Sequence, residues 1–321
     1  MPYITNILQK GAMKTILSAG LILLFTCSGL RLKAVQPLQE PAGNGLRALI
    51  DSARKEKSDS LRLEINSVFF DKLTAGLRES PASDKMFDSL GIGIITSPDA
   101  KITLVNWNLQ QNNGTNIYFL IIRNNITNRV IPMKPMPALQ EISEDSIFRD
   151  GNWPGGLYYR IICRKELTGS FYTLLGWDGF SRTTSRKTID ALSFDQDGFP
   201  VFGASIFRTK DGLKNRVVSE YASQASFTQS YDRQKITLSN VRKSQRKIND
   251  DIIVLDRLVP MNESLTGQRW AYVPAGNIYD GYIIFDRFWT FVEDIAPRNP
   301  APTGKEKKPR KPVSYDLFPP Q

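Results

Sequence analysis

Asp178 stands beside Trp177 and Gly179, and it is the carboxylate that its neighbours make the best candidate for lining a cleft. Trp153 and Trp177 are the tryptophans closest to turn signals, hence expected near a surface. Flat apolar rings with polar edges suit sugar faces, so Trp153, Trp177 and Asp178 form the candidate ligand-binding set. Against that stands the ordinary fate of aromatic residues in β proteins, which is burial in the core. A glycan hydrolase built around Asp178 needs a second carboxylate about 5–10 Å away. The sequence names no such partner.

The chain contains no histidine. Ser-His-Asp and Cys-His nucleophile systems, histidine-ligated zinc and histidine proton relays are therefore excluded. Only Cys27 and Cys163 are present, which removes thiolate zinc sites, iron–sulfur clusters and a disulfide framework. Cys163, between Ile162 and Arg164 in a strand pattern, reads as a small buried apolar side chain. Neither G-x-G-x-x-G nor G-x-x-x-x-G-K-[ST] occurs in a strand-to-helix setting. Asp195-Gln196-Asp197-Gly198 resembles the start of a calcium loop but lacks the later ligands, and a β-turn accounts for it better. No catalytic residue, metal site or cofactor is expected.

The elements that must position these residues are mostly strands. Residues 153–208 alternate aromatic and β-branched runs with the turn pairs Thr168-Gly169, Asp178-Gly179 and Asp197-Gly198. Asp-Gly between apolar runs is a strong hairpin signal, because tight turns matching strand twist need positive φ. An antiparallel β-meander is predicted there, at the centre of the core. Similar runs recur from Ile92 to Val292, so residues 81–296 are predicted to be a mainly β domain. Its antiparallel meander is expected to form a sandwich, barrel or propeller-like assembly. Before it, residues 46–80 show apolar spacings of three and four and are predicted to be a helical segment packed on the sheet. That segment is broken near Lys57–Ser60, with Asp59 or Ser60 as cap. The Pro- and acid-rich loop 131–153 is expected to overhang a cleft.

Residues 1–34 read as a signal peptide: Lys14 precedes a mostly apolar run from Ile16 to Phe25, too short to span a bilayer. Residues 35–45 form a linker. Cleavage after Ala34 is favoured over lipidation at Cys27, whose preceding Thr26 departs from the usual lipobox residue. Export to the periplasm or envelope follows, with no transmembrane span in the mature chain. The formal net charge is +10. Part of it is concentrated in Lys305, Lys307, Lys308, Arg310 and Lys311, within the Pro-rich tail 297–321, expected to be disordered, and part in the run 242–247. The tail is a candidate contact for an anionic surface. Nucleic acid is not an expected partner, since no aromatic residues interleave with either run. The predicted function is a non-catalytic envelope protein binding a protein or glycan partner. The alternative is a carboxylate-dependent glycan hydrolase with a Trp-lined cleft.

The segments W-P-G-G-L-Y-Y-R-I (153–161), Y-T-L-L-G-W-D-G (172–179) and F-P-V-F-G-A-S-I-F (199–207) resemble parts of an uncharacterised family of exported proteins from Bacteroidetes-type bacteria. The resemblance runs from about Leu61 to Ile295. It implies an exported, β-rich protein and carries no activity with it.

Overall fold

The computed structural model describes residues 45–79, 90–137, 142–167, 170–237 and 247–295. The predicted signal peptide, most of the linker, the Thr168-Gly169 turn, Arg242 to Arg246 and the basic tail lie outside the described residues.

Two helices come first: α1 (Leu46–Lys55) and α2 (Asp59–Glu79). On α2 the buried side chains Arg62, Asn66, Phe69, Leu73 and Leu77 recur every three or four residues, which puts them on one face. The break falls at Glu56 to Ser58, close to its predicted place. Asp59 does more than start the helix: its carboxylate bonds Arg62 Nη1 at 2.6 Å and accepts from Asn112 N at 3.0 Å, tying α2 to a distant turn.

Among the described residues sixteen strands follow, in three sheets. The first contains β1 (Gly93–Thr96), β2 (Ile102–Gln110), β3 (Asn116–Asn124), β4 (Val130–Pro132) and β5 (Met136–Pro137), in the order β1-β2-β3-β4 with β5 also on β3. The second holds β6 (Leu157–Cys163), β7 (Tyr172–Asp178), β8 (Thr184–Phe194), β9 (Pro200–Phe202) and β12 (Arg216–Ala222), in the order β12-β8-β7-β6 with β9 on β8. The third contains β10 (Phe207–Thr209), β11 (Gly212–Lys214), β13 (Gln229–Thr237), β14 (Lys247–Pro260), β15 (Tyr272–Phe285) and β16 (Phe288–Ile295), in the order β11-β10-β16-β15-β14-β13. All pairings are antiparallel except β10 with β16. The protein is thus mainly β, with both helices packed on the first sheet, and no described sheet closes into a barrel.

Among the described residues three apolar cores join successive layers, and a fourth cluster, Ile236, Ile252, Val254, Ile283 and Ile295, packs within the third sheet. Leu49, Ile50, Phe69 and Leu73 of the helices meet Val105, Trp107 and Phe119 of the first sheet. Leu104, Tyr118 and Leu120 on its other face meet Ile161, Leu174, Leu192 and Phe202 of the second sheet. Leu175, Ile189 and Val217 on the far side of the second sheet meet Phe207, Ile253, Tyr282 and Trp289 of the third. Sheets covered on both sides bury successive positions, which is why β3 reads as a continuous apolar run over Ile117–Ile122, while β2 buries Thr103 and Asn106 among its apolar residues.

The predicted meander exists as β6-β7-β8-β9, after which the chain hands over to the third sheet at β10. Gly198 turns it with φ +76°, and Asp195 Oδ1 accepts from Asp197 N and Phe199 N, so Asp195–Gly198 is a β-turn as read. Gly179 is needed for a different reason than positive φ: a Cβ there would lie 2.7 Å from the Trp177 ring and 3.0 Å from Asn116 Nδ2.

Candidate functional site

Trp177 and Asp178 end β7, and strand alternation sends them to opposite faces. Asp178 turns toward the first sheet and is 5% exposed. Its neighbour there is Tyr118, whose hydroxyl also accepts from Gly179 N at 2.8 Å. Burial pushes the Asp178 carboxyl above its ordinary value, against the Tyr118 hydrogen bond and the charge of Arg186. One oxygen, Oδ1, has no protein partner.

Asp178 belongs to a polar seam on the inner face of the second sheet. Arg186 Nε meets Glu220 Oε2 at 3.0 Å, and its guanidinium lies 3.3 Å from the centre of the Phe180 ring. Arg216 and Asp190, 3.3 Å apart, are both essentially inaccessible. Trp153 is fully buried, contrary to the surface position expected of it. Its Nε1 donates to Lys134 O at 2.8 Å, and its ring packs 6.0 Å from Tyr158. Trp177 alone of the three predicted residues reaches partial exposure, on the face away from Asp178. Its indole is hydrogen-bonded to Tyr221, which stacks on Phe227 at 5.1 Å. The structure does not gather Trp153, Trp177 and Asp178 into one cleft.

A groove of about 710 Å3 opens instead along β12, the edge strand of the second sheet. Its walls include Glu144, Val218, Glu220, Leu258, Arg269 and Tyr272. The acid-rich loop does overhang it. Glu144 O accepts from Asn215 N and Arg216 N at 2.9 and 3.2 Å, while its Oε1 accepts from Val218 N at 2.8 Å. Arg216 Nη1 donates to Ser143 O and Ser146 O, and Lys214 Nζ meets Asp145 at 2.9 Å. The loop therefore acts as a short extra edge, clamped to β12 by charge and backbone.

Three acidic side chains, Glu144, Asp145 and Glu220, line this groove. Burial raises the Glu144 carboxyl above its ordinary value, with Val218 N–H and Lys214 acting the other way. Glu220, with a side chain 9% exposed, is bridged by Arg186 at 3.0 Å and Arg269 at 3.1 Å. A carboxylate held by two guanidiniums is a firm anchor for groove geometry. Among the described residues no group of three or more acidic or cysteine side chains is arranged to hold a metal ion.

Glu144, Glu220 and Arg269 were not singled out by sequence reasoning. The only signal was the acidic loop. The contacts that make a site of it span about seventy residues of chain, and no local pattern encodes them. No family model matches this chain, and no curated protein or solved structure matches it either.

Proposed function

We propose that this is an exported, envelope-associated β protein that binds a protein or glycan partner and catalyses nothing. The observation that carries the reading is the groove along β12. Its volume falls within the range of about 300–1,000 Å3 usual for ligand sites. One of its carboxylates, Glu220, is bridged by two arginines, which fix the groove wall. Export and the resemblance to exported Bacteroidetes-type proteins are part of the same proposal.

The test is capture of partners from envelope extract by the full chain and by Arg269→Glu, which places a like charge against Glu220 at the rim. The reading expects a saturable partner that the variant loses. Equal capture by both chains removes the groove from the account.

A carboxylate-dependent glycan hydrolase is the second reading, and one observation favours it: Glu144 is a groove-lining carboxyl whose burial helps it keep a proton, as a general acid requires. The aromatic on the groove wall is Tyr272 rather than a tryptophan. Release of reducing ends from envelope glycan, abolished in Glu144→Gln, would establish the hydrolase in place of the binding protein.

A further inference from the structure

Trp177 on β7, Lys187 on β8 and Ser219 on β12 are cross-strand neighbours, Trp177 opposite Lys187 and Lys187 opposite Ser219. Such partners share a face. Here it is the face that carries Leu175, Ile189 and Val217 under the third sheet, so the row stands just outside that core. Tyr159 of β6 joins it: Lys187 Nζ lies 4.3 Å from the Tyr159 ring centre. The phenol is pinned by its hydroxyl, which donates to Gln229 Oε1 at 2.7 Å, and the residue is 38% exposed. Trp177, on the strand next to Lys187, is hydrogen-bonded to Tyr221. One aromatic ring thus lies over the amine and a second stands on the adjacent strand, each held by a hydrogen bond at its edge.

Lys187 has no acidic partner. It is half-buried, its amine makes no ion pair or hydrogen bond among the described residues, and it lies over the Tyr159 ring. Burial alone pushes the amine below its ordinary value, and no carboxylate offsets that cost. A cation kept partly dry without a counter-ion is a place where an incoming anion gains more than it would at an open surface. Aromatic faces beside it suit the C–H face of a pyranose ring.

We infer that the row Trp177–Lys187–Ser219, with Tyr159, is a binding site for an acidic sugar, a pyranose ring bearing a carboxylate. The ring lies against Tyr159 and Trp177, the carboxylate meets Lys187, and the Ser219 hydroxyl stands at the groove-side end of the row. A neutral sugar lacks the charge, and a small carboxylate lacks the ring. The site does not depend on the β12 groove being occupied.

Tetragalacturonate, maltotetraose and acetate are titrated into the full chain, binding being read by calorimetry and by tryptophan fluorescence. Saturable binding is expected for tetragalacturonate, with neither control competing. Lys187→Met should weaken it by about tenfold or more, the scale of one lost charge-assisted contact, with Lys187→Arg retaining most of it. Tyr159→Ala, at a residue 38% exposed and outside the buried core, should weaken it without unfolding the chain, so the outcome does not hang on one variant's stability. Deleting residues 305–311 should leave the affinity unchanged. An Arg269→Glu chain that has lost an envelope partner should still bind the probe. No binding, equal binding by Lys187→Met and Tyr159→Ala, equal binding of maltotetraose, or loss on deleting 305–311 would each overturn the assignment.

Discussion

The backbone N–H of Val218 points out of its sheet and is met at 2.8 Å by Oε1 of Glu144, 74 residues earlier in the chain. A side chain here takes the place that a neighbouring strand's carbonyl would fill. It leaves β12 an edge strand whose ladder is partly satisfied from within, which is one way of blunting an edge. It also fixes the wall of the groove.

Glu144→Ala is therefore expected to cost about 1–2 kcal/mol, the penalty for leaving a partly buried donor without its acceptor. Glu144→Gln keeps an acceptor oxygen and should cost less. Chemical denaturation midpoints of the two variants check this. Equal losses would mean that the carboxylate's charge, not its hydrogen bond, holds the loop.

How legible this was follows from distance along the chain. The helical pair, the meander and the turn at Gly198 are written in local spacing and turn residues, and they form where that spacing puts them. Other features depend on pairing. Asp256-Arg257 and Asp286-Arg287 look alike in sequence, inside similar apolar runs. Yet Asp286 and Arg287 have φ of 49° and 66° and make the tight turn between β15 and β16, while Arg257 reaches Asp280. Trp153 has turn residues on both sides and is nonetheless buried, because the segment before β6 folds into the layer between the first two sheets. Lys187 carried no signal at all. Its isolation from acids appears only once β7 and β12 lie beside β8, with β6 beyond β7.

Trp107 links α2 to the first sheet. Its Nε1 donates to Asn66 Oδ1 at 2.8 Å, and its ring stacks on Phe119 at 5.4 Å and meets Phe69 edge-on at 5.2 Å. Trp107→Phe keeps much of the ring packing but strands a buried amide oxygen, for a loss of about 1–3 kcal/mol. Asn66→Leu added to that variant removes the orphan and should recover part of the loss. Thermal unfolding of the single and double variants measures it. No recovery would place the cost in lost ring volume instead.

Asp178 makes stability depend on pH in a defined direction. Its folded carboxyl sits above the ordinary 3.8 because of burial. The folded state then binds the proton more tightly than the unfolded chain does. Stability from this group is full below 3.8 and declines as pH rises toward the raised value. Asp178→Asn removes that dependence. The melting temperature of the variant relative to the native chain should be most favourable at neutral pH and should fall as the solution is acidified. A difference that stays flat with pH would mean that Arg186 balances the charge in the fold.

The envelope proposal makes separable claims about the two ends of the chain. Cleavage after Ala34 gives a mature N-terminus at Val35, whereas lipidation gives one at a modified Cys27, and intact mass of protein recovered from cells distinguishes them. Unlipidated protein should still float with anionic vesicles at about 0.01 M salt and release at about 1 M, as the screening length falls from about 30 to about 3 Å. Deleting residues 305–311 takes five basic side chains away with one acid and should abolish flotation, because long-range attraction to a charged surface scales with the charges facing it. Flotation that survives both the deletion and high salt would assign the membrane contact to apolar surface on the folded domain rather than to the tail.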